Sequence, residues 1–344
     1  MTASESVFRP WGRFDWLLNK LPRVQWHVVG ALSTEDRCLS VLRHGQDTIN
    51  VESAYLLEIV DEESDFSEPA RIGREANRAR LEMLIGDFRK EVSKMGLLDP
   101  VISLKQKMNQ WAMRAPKNVV LDVSALPKRV FFPLIRWLLE NSAIENLVIT
   151  YMKPDRYTNE ALAYNAREWA QLPTFVANNV PPDPPIEKLV VGVGFLPFGL
   201  PDLLKHHYHE LSAKITLILP FPSHPTAVQR AWEFVRHIDA ETRLETTEQI
   251  QRVDANDLAG CFDRLNRATR GGARKTVYAP YGPKPHSVAM CLHAISTGSE
   301  VFYTQPAYYH PEYTTGIRLE NSKPAGHAYL IKWNGHNLYS TRNQ

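Results

Sequence analysis

Apolar residues along this chain gather into short, nearly unbroken runs. Each run ends in a polar or proline-containing turn, and a stretch with helical spacing of apolar positions follows. The first run is Gln25 to Leu32, followed by Ser33-Thr34 and a predicted helix over 35–44; Ser33 or Thr34 suits an N-cap, and Glu35-Asp36 puts negative charge in the first turn. Ala54 to Val60 comes next and leads through an acidic turn (Asp61, Glu62, Glu63, Asp65) to a long helical region over about 70–114. Asn118 to Ser124 precedes a helix over 131–141, and Leu147 to Tyr151 is a fourth strand. After Pro181-Pro182-Asp183-Pro184-Pro185 the theme resumes: strand 188–194 and helix 199–210, strand 214–220 and helix 225–238, strand 276–280 and helix 285–296. Val301 to Tyr303 is a further short strand, and Asn334-Gly335 signals the turn of a terminal hairpin.

Strands that are apolar throughout must be covered on both faces, and their alternation with helices implies parallel pairing. The expected fold is therefore α/β and Rossmann-like: a mostly parallel sheet, helices on both faces, and either one large sheet or two lobes. Consecutive prolines suit a stiff connector, so the lobes are expected at 1–180 and 181–344, the second carrying the hairpin.

Composition narrows the function classes. Forty Lys and Arg stand against 38 Asp and Glu, for a net charge of +2, which argues against a general nucleic-acid coat. No run of about 18 apolar residues exists to span a bilayer, and the first residues lack the basic-then-apolar order of a signal peptide. Cys38, Cys261 and Cys291 are too widely spaced for a disulfide framework or a zinc ribbon. A cytoplasmic location is the expectation.

In open parallel sheets ligands bind beyond the carboxyl ends of the strands, which directs attention to a few turns. Tyr281-Gly282-Pro283-Lys284-Pro285-His286-Ser287 joins strand 276–280 to the next helix. Gly282 permits close backbone approach, while Lys284, His286 and Ser287 can set donors beside the positive helix end, as phosphate requires. The alternative is a rigid turn with a solvated lysine. At Asp122-Val123-Ser124 and Lys128-Arg129, a carboxylate inside an apolar strand either caps a turn or pairs with Arg129, or meets a ribose hydroxyl or metal; Ser124 and Lys128 suit a phosphate. Gly192-Val193-Gly194-Phe195-Leu196-Pro197 narrowly misses the dinucleotide fingerprint, and the next strand ends Leu219-Pro220 without an acidic residue. NAD is not expected there; the glycines, Gly194 among them, would let Phe195 or Phe198 approach a base, or simply allow close packing.

Ser223 and His224 reach the same edge, so Ser223 or Ser287, His224 or His286, and Asp122 could form a Ser/His/Asp hydrolase constellation, although no Gly-x-Ser-x-Gly elbow is present. His206, His207 and His209 lack acidic or cysteine partners at metal-ligand spacing, and the turn 61–65 reads more readily as a solvated loop than a Mg²⁺ site. No resident cofactor or metal is expected. The aromatic segment 303–313, with Tyr308 and Tyr313, reads as a lid or interface that could close over a base. Trp11, Trp16, Arg9, Arg13, Lys20 and Arg23 suit either docking or packing onto the chain itself.

The turn with Gly282 and Lys284, followed by Ala289-Met290, resembles the strand–Gly-x-x-Lys–helix turn of CARF and SAVED domains, Rossmann-like sensors of cyclic oligonucleotides in prokaryotic defence. Their usual form is Gly-Gly-Thr-Lys-x-Met; Tyr281 and Pro283 stand here in place of the first Gly and the Thr. The resemblance spans about 20 residues, 276–296, and implies a nucleotide or other phosphorylated ligand held by Gly282 and Lys284 in an antiviral sensor or accessory component. Its partners would be a nucleotide-like small molecule, a second protein and further copies of the chain. A hydrolase or transferase at the same edge, and an interaction protein with a filled pocket, are the alternatives. The 24 prolines against 17 glycines favour stiff turns there over mobile phosphate loops.

Overall fold

A computed structural model of the chain describes residues 8–45, 48–175, 186–195, 200, 214–221, 225–242 and 250–341. They fall into two compact units. One comprises Phe8–Asn165 with Pro306–Leu338; the other comprises Ala166–Gln305 with the segment from Tyr339 onward. The expected division at 180/181 differs from this: residues 306–338 rejoin the first unit because they add a strand to its sheet. The connector 181–185 lies outside the described residues, as do Phe198, the helix expected over 199–210 (Leu200 excepted) and Ser223-His224.

The strands of the two main sheets are β1 (Trp11–Arg13), β2 (Gln25–Leu32), β3 (Asn50–Val60), β4 (Arg89–Gly96), β5 (Asn118–Asp122), β6 (Asn146–Met152), β7 (Ala163–Gln171), β8 (Lys188–Gly192), β9 (Lys214–Pro220), β10 (Ile250–Val253), β11 (Thr276–Pro280), β12 (Glu300–Tyr309) and β13 (Gly326–Trp333). The described α-helices are α1 (Phe14–Leu18), α2 (Ser40–His44), α3 (Ser67–Glu82), α4 (Val101–Ala112), α5 (Lys128–Glu140), α6 (Pro225–Thr242), α7 (Leu258–Ala268) and α8 (Lys284–Thr297). None of them is long and apolar enough to cross a membrane.

In the first unit the order is β1-β13-β6-β5-β2-β3-β4, with β2 to β6 all parallel and β13 antiparallel to β6 and β1. The chain starts this parallel set at β2, winds out through β3 and β4, then returns to lay β5 and β6 on the other side. That is the doubly wound order of a Rossmann-like sheet, with its switch point between β2 and β5. All of β6 and all but the first residue of β2 are buried, as double coverage demands. On the helix side α5 inserts Phe131, Phe132, Leu134, Ile135 and Leu138, and α4 inserts Leu104, Met108 and Trp111.

The second unit repeats the order. Its sheet runs β10-β9-β8-β11-β12-β7, parallel from β10 to β12, with the switch point between β8 and β11. Ten consecutive residues of α8, Pro285 to Ala294, are buried, so this helix is covered all round and central. Asp257 caps α7 by accepting from Gly260 N at 2.7 Å.

Several expectations change in detail. The helical region over 70–114 contains β4, an edge strand of sequence Arg-Lys-Glu-Val-Ser-Lys-Met-Gly with only Met95 buried; charged residues hide such strands from an apolar-pattern reading. The helix over 35–44 is a 3₁₀ turn (Asp36–Leu39) followed by α2. The segment from 303 is strand β12 as far as Tyr309, with Tyr303 to Ala307 buried, not a lid beyond a short strand. The terminal hairpin forms at Asn334-Gly335, whose φ values of 46° and 79° suit that dipeptide. Trp11 stacks on Tyr329 at 5.9 Å, and Arg9 donates to Leu338 O at 2.8 Å, so both serve packing within their own unit.

Candidate functional site

In the second unit, Pro280 at the end of β11 lies level with Gly192 at the end of β8. The loops that follow are in close contact. A Cβ built on Gly194 would lie 2.0 Å from Tyr281 O; one on Gly282 would lie 3.2 Å from Val193 O, and one on Gly192 3.2 Å from Gly282 N. The glycines of the near-fingerprint therefore let two stiff turns lie against one another at the switch point.

Beyond that contact, Pro283 is the N-cap of α8 with φ −59° and ψ 156°, and Lys284 opens the helix at the carboxyl edge, partly exposed. Phe195 is partly exposed at the same edge, with the Arg230 guanidinium 5.6 Å from its ring centroid. Arg230, in the second turn of α6, is a cation that the sequence reading missed; a single Arg within an amphipathic helix carries no signal of this position.

The other two donors expected in the turn are used internally. Ser287 Oγ donates to Gly282 O at 3.2 Å. His286 is fully buried and its Nε2 donates to Asp254 O at 2.8 Å, which fixes the neutral tautomer. Burial pulls its imidazole down to about 4, and does the same to His293, whose Nδ1 lies 2.8 Å from Tyr278 Oη. Neither is a base poised for neutral pH. Both ordinarily titrate at 6.5, so on acidification the unfolded chain takes up protons first. Their contribution to stability is complete above pH 6.5 and lost as the pH falls towards 4, at up to about 1.4 kcal/mol per pH unit for each group. Urea midpoints at pH 7 and pH 5 check this: the variant with Gln at 286 and 293 should lose less on acidification than the parent, and an equal loss would refute the assignment.

In the first unit, the expected ligand groups after β5 form a strand-end turn. Asp122 Oδ1 accepts from Ser124 N at 3.0 Å, Ser124 Oγ at 2.5 Å and Thr150 Oγ1 at 3.3 Å, while Ser124 Oγ accepts from Met152 N at 2.8 Å. Both side chains are buried, so they tie β5 to β6. Lys128 remains at the start of α5 on the carboxyl edge, its ammonium pushed down by desolvation to about 8. Across the switch point, the loop after β2 is held by a buried ion pair. Arg37 Nη2 lies 2.7 Å from Glu35 Oε2 and Nη1 donates to Met152 O at 2.9 Å; Thr314 Oγ1 also donates to Glu35. Asn77 of α3 donates to Ser33 O at 2.8 Å. The sequence reading assigned Glu35 to a helix dipole and had no role for Arg37, Asn77 or Thr314.

Tyr308 stacks on Tyr164 at 5.4 Å, and Phe66 lies 5.0 Å from His310 and 5.3 Å from Tyr164. Tyr308 thus belongs to an aromatic cluster of its own unit. Asp61 accepts from Tyr309 N at 2.9 Å, and no group of three or more His, Cys, Asp or Glu side chains among the described residues is arranged to hold a metal ion.

No family model and no curated protein sequence matches the chain. Among solved structures, it is similar to PA1789 from Pseudomonas aeruginosa PAO1, described as functionally unknown, at 14% identity over 85% of this chain and 95% of that one, with a TM-score of 0.24. It is also similar to PlmKR1, a ketoreductase from the first module of phoslactomycin biosynthesis in Streptomyces sp. HK803, at 12% identity over 84% and 67% of the two chains, with a TM-score of 0.21. Strand order gives the fold: an α/β architecture of mostly parallel, Rossmann-like sheets.

Proposed function

We propose that the chain binds a nucleotide or other phosphate-bearing small molecule at the carboxyl edge of the second sheet, as a sensor or accessory component of a prokaryotic defence system. The observation that carries this reading is Lys284: it opens α8 directly after the Gly282 turn, at the switch point of a doubly wound sheet. Arg230 and Phe195 on the same edge add a second cation and a partly exposed ring. Backbone N–H groups at the start of α8 and the Lys284 ammonium would meet phosphate oxygens. The neutral, buried His286 shapes the turn rather than moving protons, which favours binding over hydrolysis or group transfer.

A thermal-shift panel of mononucleotides, cyclic dinucleotides, cyclic oligoadenylates and NAD tests it, because a ligand bound only to the folded state raises its stability by mass action. At a concentration a hundredfold above Kd the gain is about 2.7 kcal/mol, a rise of a few degrees in Tm. Lys284→Ala should abolish the shift. A second reading, an interaction protein with a filled pocket, is favoured by the Asp122–Ser124–Thr150 and Glu35–Arg37 bonds that occupy the first unit's switch point. It gains if no member of the panel shifts Tm.

A further inference from the structure

Helix α3 buries one side against its own unit, through Ala70, Asn77 and Leu81. The opposite side of such a surface helix is ordinarily polar. Here it is apolar: Pro69, Ile72, Ala76 and Ala79 are exposed, as is Met83 at the C-cap, which keeps helical backbone angles. These five residues stand alternately three and four apart, the spacing of a coiled-coil seam. Ile72 is 55% exposed and Met83 77%, with Ile85 just beyond the helix at 91%. A contiguous exposed apolar strip of this kind marks an interaction surface.

The flanks of the strip indicate what covers it. With Pro69, Ile72, Ala76, Ala79 and Met83 at the a and d positions, the g positions hold Glu68, Glu75 and Glu82, and the e positions hold Gly73 and Arg80. In an antiparallel pair of such helices g meets g, which sets carboxylate against carboxylate. In a parallel pair each g residue meets the e residue five positions further along the other helix, so Glu75 meets Arg80 of a second copy, and two-fold symmetry makes the contact twice. Both side chains are available for it. Glu75 is 59% exposed and bonds Arg71 through Oε1, while Arg80 is 47% exposed and bonds Asp36 through Nη1. Exposed pairs of this type are worth little, and each group keeps further acceptor or donor capacity. Ala76 and Ala79 at the centre of the strip let two backbones approach closely.

We propose that two copies of this chain pair in parallel through the exposed face of α3, with Ile72, Ala76, Ala79 and Met83 as the seam and Glu75 against Arg80 of the second copy at each side. The pairing uses none of the residues assigned to the Lys284 turn and does not rest on that reading. The seam is short, so a weak, concentration-dependent dimer is expected, not an obligate one.

Sedimentation velocity of the full chain at concentrations up to about 200 µM tests the proposal, a range suited to a Kd in the micromolar region. The parent should pass from monomer to dimer as concentration rises. Met83→Glu should weaken association by about tenfold or more, because it places an unpaired carboxylate in an apolar seam. Its melting temperature in dilute solution should equal the parent's, since the side chain is exposed in the monomer. Glu75→Arg and Arg80→Glu should each weaken association, and an equimolar mixture of the two variants should restore it, because both contacts then join opposite charges. A parent that stays monomeric throughout, or a dimer indifferent to Met83→Glu, would overturn the proposal. So would association left unchanged or strengthened by Glu75→Arg, as an antiparallel pairing requires.

Discussion

Replacing Gly194 with alanine should destabilise the second unit by about 3 kcal/mol or more, at the upper end of what overpacking costs. The new methyl group would sit 2.0 Å from Tyr281 O and 2.8 Å from its carbonyl carbon. These are backbone atoms, so no rotamer change relieves the clash; the turn after β11 or the loop after β8 has to move. Either movement disturbs the start of α8, which is buried almost throughout. Gly30 serves as the control: a Cβ there meets nothing closer than Asp122 Cβ at 3.5 Å, ordinary contact, so Gly30→Ala should change stability little. Urea denaturation of the two variants measures the difference. Equal midpoints for Gly194→Ala and the parent would show that the two turns are not packed as described.

The buried pair in the first unit gives the second large effect. Arg37→Met removes the guanidinium but leaves the Glu35 carboxylate enclosed, and it deprives Met152 O of its donor at 2.9 Å. Breaking one side of a buried pair typically costs about 3–5 kcal/mol, because the remaining charge has no partner. The double variant Glu35→Gln with Arg37→Met should recover a substantial part of that loss, since the stranded charge goes with it. A thermal melt of the parent and of the single and double variants forms the comparison. If the double variant is as unstable as Arg37→Met, the loss comes from packing and not from an unpaired charge.

The strand cores were legible because each is a continuous apolar run: Val28 to Leu32, Val119 to Leu121 and Leu189 to Val191 are all buried. Parallel pairing followed from the intervening helices, and the hairpin from Asn334-Gly335. What escaped was polar or non-local. Edge strand β4 carries two Lys, an Arg and a Glu, and its pairing with β3 supplies what its pattern does not. The sequence singles out Asp122 as a carboxylate inside an apolar strand and Ser124 as a hydroxyl at the helix entry that follows. Their partners, Thr150 and Met152 N, lie 28 residues away, so only the assembled sheet distinguishes a strand-end tie from a ligand group. Tyr308 escaped for the same reason, since Tyr164 and Phe66 meet it only through tertiary structure. The glycines at 192 and 194 signalled close approach, and the structure identifies the Tyr281–Gly282 turn as what approaches.

The surplus of proline over glycine, located at strand ends such as Pro280 and Pro283, accords with a preformed edge. The ligand is proposed to sit at this edge, at Gly282 and Lys284. Hydrogen–deuterium exchange of the parent, with and without the ligand that most raises Tm, tests that placement most directly. Slowed exchange is expected in peptides covering 281–287 and 192–195, and no slowing in Lys284→Ala. Protection confined to peptides elsewhere, or unchanged exchange over 281–287 in the presence of a bound ligand, would contradict it.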